Sequence, residues 1–549
     1  DTATAAGVGI GYRMWSGRPG KSGGVYRDGN VLCAVSGSFA PAVPSPAAEL
    51  PHILNDTKRL DTLDGNFGGA CWDGSRLTIL RDPFGVRTLY YTEHGGVFYF
   101  ASELKQLLAI PGFTIEPDHA AIHKYLTFSF VPGEDVPVRG IKRVLPGRLA
   151  VWENGKLTVT PYFTLEEQID PALGERRPAV KLIRTLCREA VAKRLNGATD
   201  VGLYLSGGLD SSGVAVWLKE AGVNVKAFTL DFGKHAVEKD QAKTVADKLG
   251  IPLTTVTVGG ENIARILTDL VWKLDLPFGD PVTGPQYLLA KAAKAAGLSV
   301  AFNGEGGDQL FGGWTNKPMI SAQLYAGLYG GDSREQLYLK SYHRFYGLED
   351  KLYTRAFLDR VGPPGPRRAL LAPYLHSHNA STFLNRIRLA DISLKGSQNI
   401  LPRMDRTNQC WGIDIRVPLF DRALAEASFT LPPQMKLHGA CEKYVLKLAL
   451  QKHLPREIVW RRKFGMSVPI TEWALGPLSP VLRDLLNPAA LARRGLFRPE
   501  YVTELQAGQD VPNEIRRRRI GERLWTLAML EAWMRVFIDG KGRAPGGSA

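Results

Sequence analysis

Two glycine-rich stretches carry residues that could do chemistry. The first is Ser206-Gly207-Gly208-Leu209-Asp210-Ser211-Ser212, set between a short apolar run (residues 200–205) and a helically spaced stretch (residues 213–221). Its glycines let backbone N–H groups converge on one point, with no Cβ to block a phosphate. Ser211 and Ser212 open the helix, whose N-terminus favours an anion. No Lys follows the glycines, which excludes the nucleoside-triphosphate loop ending in Gly-Lys-Ser/Thr. The second stretch, Asn303-Gly304-Glu305-Gly306-Gly307-Asp308-Gln309-Leu310-Phe311-Gly312-Gly313, has five glycines in eleven residues, with acidic and amide side chains among them. Leu310 and Phe311 would be out of place in a plain linker, so the stretch reads as an active-site loop.

These loops need a frame. From residue 179 onward helices and strands alternate. An amphipathic helix (179–196) and the run at 200–205 are followed by a strand (225–230), a helix ended by Gly250 (239–249) and a strand (253–258). Helices at 263–274 and 287–296 and a strand at 298–302 complete the pattern. It predicts an α/β doubly wound domain with a parallel sheet, which binds ligands at the carboxyl ends of its strands. The Ser206 loop, Thr229-Leu230-Asp231 and the loop after Phe302 share that edge. Residues beyond about 320 read as a helical C-terminal region without repeats. Residues 1–160 differ. Strands are predicted at 77–81, 88–92, 97–101, 148–152 and 156–159, and short helices at 103–109 and 119–126, giving an α+β domain rich in antiparallel strands. Residues 161–178, rich in Glu, Pro and Arg, form the expected linker to a second domain over 179–540.

At 549 residues the chain exceeds one core, and its 44% apolar and 22% charged content is ordinary for a soluble globular protein. No apolar run reaches the ~18 residues of a membrane span, and the first residues show no signal peptide. The five cysteines (Cys33, Cys71, Cys187, Cys410, Cys441) are scattered and odd in number. They argue against a disulfide framework or zinc site and for the cytoplasm. A net charge of +15 suits polyanionic small molecules such as ATP, a nucleic acid or an anionic surface. The one dense run, Arg516-Arg517-Arg518-Arg519, reads as a solvated helix face. No nucleic-acid motif with interleaved aromatics is present.

Several segments together resemble a known family. Leu63-Asp64-Gly65-Asn66-Phe67-Gly68-Gly69-Ala70-Cys71-Trp72-Asp73, Arg81-Asp82-Pro83-Phe84-Gly85-Val86-Arg87-Thr88-Leu89-Tyr90-Tyr91 and Phe100-Ala101-Ser102-Glu103-Leu104-Lys105 resemble the latter half of the glutaminase domain of B-type asparagine synthetases. Val131-Pro132-Gly133 and Leu145-Pro146-Gly147 continue the similarity. The fold so implied is an N-terminal-nucleophile sandwich. The Ser206 loop resembles the family's pyrophosphate loop, and the Asn303 loop its Gly-Glu-Gly-x-Asp-Glu segment, with Gln309 in place of Glu. The resemblance implies ATP at Leu205, Ser206, Gly207, Gly208, Asp210, Ser211, Leu230, Asn303 and Gly304, and one or two Mg²⁺ at Asp210 and Asp308. As bare residues, either Asp could equally be a surface or capping residue. It makes Lys443 a pyrophosphate ligand, and Lys463 the lysine that stabilises the second transition state in β-lactam-forming relatives. Arg403-Met404-Asp405-Arg406 and Ile415-Arg416-Val417-Pro418-Leu419-Phe420-Asp421 resemble segments expected to build the pocket wall and its closing loop. The resemblance covers most of residues 60–150 and 195–475. It is weak at the N-terminus, in 315–395 and after about 480.

The first domain departs from the family. Its glutaminase needs an N-terminal Cys whose own amine activates the thiol, whereas this sequence starts at Asp1 and Cys33 is internal. The family's Asn-Gly-Glu segment is replaced by Val31-Leu32-Cys33-Ala34-Val35-Ser36-Gly37-Ser38-Phe39-Ala40, and no Arg-Gly-Pro-Asp segment is found. Glutaminase chemistry is therefore expected to be lost. The family reaction makes an acyl-adenylate from a carboxylate and ATP, and an amine then displaces AMP, with Glu305 suited to general-base work on that amine. Three readings follow. The chain could be a macrolactam-forming cyclase like the lasso peptide cyclases, working on a precursor peptide beside a partner protease. It could be a small-molecule amide synthetase using ammonia or an intramolecular amine. Or it could be a non-catalytic scaffold, which the retained Ser206, Asp210, Ser211, Glu305, Asp308 and Lys443 oppose.

Overall fold

A computed structural model describes the chain except for residues 1, 6, 14–22, 236–237, 314–315, 330, 363–364, 462–467, 509–513 and 546–549. In the first domain, six antiparallel strands form one sheet. Its order runs from Lys156–Pro161 through Arg148–Glu153, Leu77–Arg81, Gly65–Trp72 and Val31–Phe39 to Gly24–Asp28. A second sheet of Val97–Ala101, Tyr90–His94 and Lys142–Arg143 packs on it. The helix Pro46–Leu54 covers the opposite face, burying Leu50 and Ile53 over Phe39 and Phe67. The strand expected at 88–92 begins at Tyr90 instead. Ahead of it Asp82 binds the backbone N–H groups of Phe84, Val86 and Arg87 and ties the chain into a loop.

The cysteine expectation needs correcting. Cys33 and Cys71 lie opposite one another in the register of Val31–Phe39 against Gly65–Trp72 and form a disulfide, their Cα atoms 4.2 Å apart. Count and spacing say nothing about which residues a sheet register sets side by side.

The second domain opens on the helix Arg176–Leu195, whose buried residues Ala179, Ile183, Cys187, Ala190, Val191 and Arg194 fall on one stripe. Five parallel strands follow, in the order Leu253–Thr257, Asn224–Asp231, Asp200–Tyr204, Val300–Phe302, Asp414–Arg416. The last was not expected from sequence. Three residues are too few to show a period, and Asp414 and Arg416 disguise a buried strand. Asp200–Tyr204 is central, flanked by Asn224–Asp231 on one side and Val300–Phe302 on the other. Strand order reverses beside it, which opens a crevice at its carboxyl end. Helices dominate from residue 316 onward, among them Asn316–Tyr329, Leu401–Gln409 and Glu514–Met534. The Arg516–Arg519 run begins in the last of these. Among the described residues, no helix is long and apolar enough to cross a membrane.

Buried ion pairs fasten the two domains. Arg87 reaches Asp405 at 2.6 Å and Asp414 at 3.0 Å. Arg194 reaches Asp421 at 2.6 Å and Asp64 at 3.0 Å. Arg406 pairs with Glu103 at 2.7 Å. Arg406 and Lys105 hold the Glu103 carboxyl down at about 2 against the opposing effect of burial. This corrects the role expected for two segments. Of Arg403-Met404-Asp405-Arg406 only Arg403 lines the central cavity; Asp405 and Arg406 face the first domain. Arg416 and Asp421 bind the helix Arg176–Leu195 of their own domain, while the Ile415 carbonyl accepts from Asn66 of the first domain at 3.4 Å, so this segment packs at the domain junction rather than closing a pocket.

Candidate active site

The crevice at the switch point is a cavity of about 380 Å³. Leu205, Ser206, Gly208, Asp210, Ser211, Leu230, Asn303, Gly304, Glu305, Asp308 and Lys443 all line it. Gly207 lies behind them, its carbonyl accepting from Arg461 at 3.2 Å. Lys463 falls outside the described residues.

The Ser206 loop is organised before any ligand arrives. Ser206 Oγ accepts from the Gly208 N–H at 3.2 Å, and Ser211 Oγ accepts from the Ser206 N–H at 3.2 Å. The helix Leu209–Glu220 starts with Gly208 at its cap and no side chain satisfying its first N–H groups. The residues of that first turn, Leu209, Asp210 and Ser211, line the crevice, and an anion is the natural acceptor for a helix N-terminus.

The second loop presses against the first. A Cβ on Gly304 would lie 2.3 Å from the Ser211 nitrogen, and one on Gly307 would lie 2.1 Å from Asp210 Oδ1. Only glycine allows this approach, which sets Asp308, in the short helix Gly307–Phe311, beside Asp210. Gly307→Ala should therefore displace Asp210 and reduce pyrophosphate exchange at least tenfold, with little change in thermal midpoint. Exchange kinetics and a melting curve check this.

Lys443 lies between the two carboxylates. Its Nζ donates to Asp210 Oδ2 and lies 2.9 Å from Asp308 Oδ1. Burial alone would lower its pKa, but the two carboxylates outweigh it and raise the value above that of a free lysine. Lys443 is also a non-glycine residue in the left-handed region, at φ 54°. Such strain persists only where the surroundings fix it, and it gathers at functional sites. The donor set fits Mg²⁺. Asp210 Oδ1 is buried with no hydrogen-bond partner among the described residues, and two carboxylates leave room for phosphate oxygens to complete an octahedral shell. Glu305 is fixed at the backbone, where its N–H donates to Asn303 Oδ1 at 2.9 Å.

Further lining residues were not singled out in the sequence: Glu238 and Arg461 near the first loop, and Asp280, Gln286, Asp391 and Lys395 on the far side. Arg403 pairs with Asp280 there at 2.6 Å. Apart from Asp391 and Lys395, which share one helix, these are single polar residues on separate elements, with no local pattern to mark them.

The asparagine synthase family model matches residues 182–535, and a glutamine amidotransferase domain model matches residues 54–163. The chain belongs to the asparagine synthase family. It is 27% identical to "Asparagine synthetase [glutamine-hydrolyzing] 1" of Bacillus subtilis, over 87% of this chain and 78% of the relative. It is 27% identical to a putative glutamine-hydrolyzing asparagine synthetase of Mycobacterium tuberculosis, over 88% of this chain and 78% of the relative. A protein named "Amidase chyE" from Penicillium rubens is 25% identical, over 77% of this chain and 72% of the relative. As a family member the chain is an ATP-dependent, amide-forming ligase that joins a carboxylate to an amine.

Proposed function

We propose that this asparagine synthase family member closes a macrolactam in a precursor peptide, in the manner of a lasso peptide cyclase, without hydrolysing glutamine. What supports this reading is a cavity lined by Ser206, Asp210, Glu305, Asp308 and Lys443, together with a first domain in which the family's glutamine-handling segments are not found. Where the family has Asn-Gly-Glu, Val31–Phe39 is an inner strand of the sheet, and Cys33 is buried in its disulfide. An amine not drawn from glutamine must then come from elsewhere, and a peptide's own α-amine is one source. We take residues 1–160 as the amidotransferase-like domain, 161–178 as linker and 179–540 as synthetase, acting in the cytoplasm beside a partner protease.

In the first step a substrate carboxylate oxygen attacks the α-phosphorus of ATP and pyrophosphate departs. Backbone N–H groups of the Ser206 loop and the Lys443 ammonium hold the departing charge, which is where fixed donors accelerate most. Mg²⁺, held by Asp210 and Asp308, would neutralise phosphate charge when bound. In the second step the amine nitrogen bonds to the acyl carbon, the C–O bond to AMP breaks and AMP leaves with the electron pair. Glu305 takes a proton from the nitrogen. Lys463, by its match to β-lactam-forming relatives, would stabilise that second transition state.

The test is ATP–pyrophosphate exchange and product analysis with three mixtures: aspartate plus ammonium chloride, aspartate plus glutamine, and linear peptides with a free α-amine and an internal Asp or Glu. Exchange and loss of one water with a peptide are expected. Vigorous asparagine formation from glutamine would overturn the reading.

A further inference from the structure

The cavity extends beyond the nucleotide loops, and its far wall has its own architecture. Residues Asp391–Ile400 form a π-helix that runs directly into the α-helix Leu401–Gln409. Asp391, Lys395, Ile400 and Arg403 from this run all line the cavity. At about 3.6 residues per turn, the nine steps from Asp391 to Ile400 make two and a half turns and would set them on opposite faces. The wider i→i+5 turns instead return both to one side. The departure from α-helix thus lets Asp391 and Ile400 line one cavity, with Lys395 between them.

Asp391 is held in place. Tyr338 donates to its Oδ1 at 2.9 Å, and Asn316 Nδ2 donates to its Oδ2 at 3.1 Å. Both of these partners are neutral and buried and orient the carboxylate, while Lys395 of the same helix is the cation that acts on it from the cavity side. Unfilled hydrogen-bonding capacity surrounds it. Gln286 Oε1, Gln309 Oε1 and Arg403 Nε are buried and lack hydrogen-bond partners among the described residues. All three residues line the same cavity and are at least nine-tenths buried. Orphaned buried polar atoms are costly and rare in native proteins, and here they face a space a polar ligand would fill.

We infer that Asp391, positioned by Tyr338 and Asn316, is the receiving carboxylate for the amine substrate in its ammonium form, and that Gln286 and Gln309 flank it to bind the adjoining amide groups of a peptide. This inference rests on the reading of the site as an adenylating ligase and names its amine subsite. An aliphatic amine arrives protonated near neutral pH. A fixed carboxylate collects it and holds it through charge-assisted hydrogen bonds. Transfer of the surplus proton to the Asp391 carboxylate then frees the lone pair that forms the C–N bond, and Glu305 takes the second proton as that bond forms.

The test separates cationic from neutral amines. The full chain is given ATP, Mg²⁺ and an N-acetylated linear peptide with an internal Asp or Glu, with either ammonium chloride or hydroxylamine as the external amine. Hydroxylamine is uncharged near neutral pH and needs no ammonium subsite. Asp391→Asn should raise KM for ammonium on the order of 10- to 100-fold, the loss expected for a charged hydrogen bond. It should also raise the ratio of hydroxamate to primary amide by a similar factor. Tyr338→Phe should move both in the same direction by a smaller factor. An unchanged product ratio in a folded Asp391→Asn protein overturns the inference, as does an equal fall with both amines, which would mark a structural role. If the wild-type chain gives neither exchange nor hydroxamate with any peptide or with aspartate, the ligase reading fails and takes the subsite with it. Exchange with an unchanged ratio removes the subsite alone.

Discussion

Lys443→Met should reduce both pyrophosphate exchange and amide formation about 10³-fold. Removing one fixed donor to a developing charge costs 10²–10³ in rate, and Lys443 has a second task besides. Its ammonium is what draws Asp210 and Asp308 together. Without it the two carboxylates repel across the place where pyrophosphate must leave. Arg should not substitute well, because the planar guanidinium cannot fill a pocket shaped to a compact ammonium. The chain should stay folded, since Asp210 and Asp308 both retain some exposure, at 18% and 34% of their side chains, and water can enter. Single-turnover adenylation and far-UV circular dichroism check this together. Normal exchange with impaired amide formation would move Lys443 to the second step only.

Arg194→Met should destabilise the chain by about 3–5 kcal/mol, the range for removing one partner of a buried ion pair. Arg194 is 4% exposed and binds two carboxylates from different parts of the chain, Asp64 and Asp421. Removing it strands Asp64 and leaves Asp421 with Lys193 at 3.4 Å. The carboxylates respond differently even in the intact protein. Burial pushes Asp64 up to about 6, with Arg194 opposing, whereas Arg194 and Lys193 hold Asp421 below the ordinary aspartate value against burial. The sign of the pH dependence follows. In Arg194→Met, protonation relieves a buried charge that no longer has its partner. The deficit should therefore be largest above pH 7 and shrink as pH falls through 6. Adding Asp64→Asn should restore part of the loss at high pH. Denaturant midpoints of the single and double variants at two pH values measure this, and an identical deficit at both would count against the ion-pair account.

The two domains, the parallel sheet and the two glycine-rich loops were legible because each leaves a local trace: strand alternation, an apolar run before a turn, glycines where backbones meet. The fifth strand was not legible, being three residues long with charged ends, Asp414 and Arg416, that pair with each other and, for Asp414, with Arg87 of the first domain. The role of Asp405, Arg406 and Asp421 was misread for the same reason. A charged segment of this kind resembles a pocket wall until its partners are known, and Arg194 lies 227 residues from Asp421 and 130 from Asp64.

The sequence by itself determined the glycine-rich loop Ser206 to Ser212 that lines the cavity, because a phosphate cradle is built from neighbouring backbone groups and needs only glycine, serine and a following helix. It also placed Asp308 and Glu305 on a companion loop, and through family resemblance it picked Lys443 from among 69 basic residues. Tertiary structure alone decided that Lys443 bridges Asp210 and Asp308, that Cys33 meets Cys71, and that a π-helical stretch lines the cavity from Asp391 to Ile400. Those relations depend on distances between segments far apart in the chain, which are set when the strand order reverses beside Asp200–Tyr204 and the helices close over the crevice.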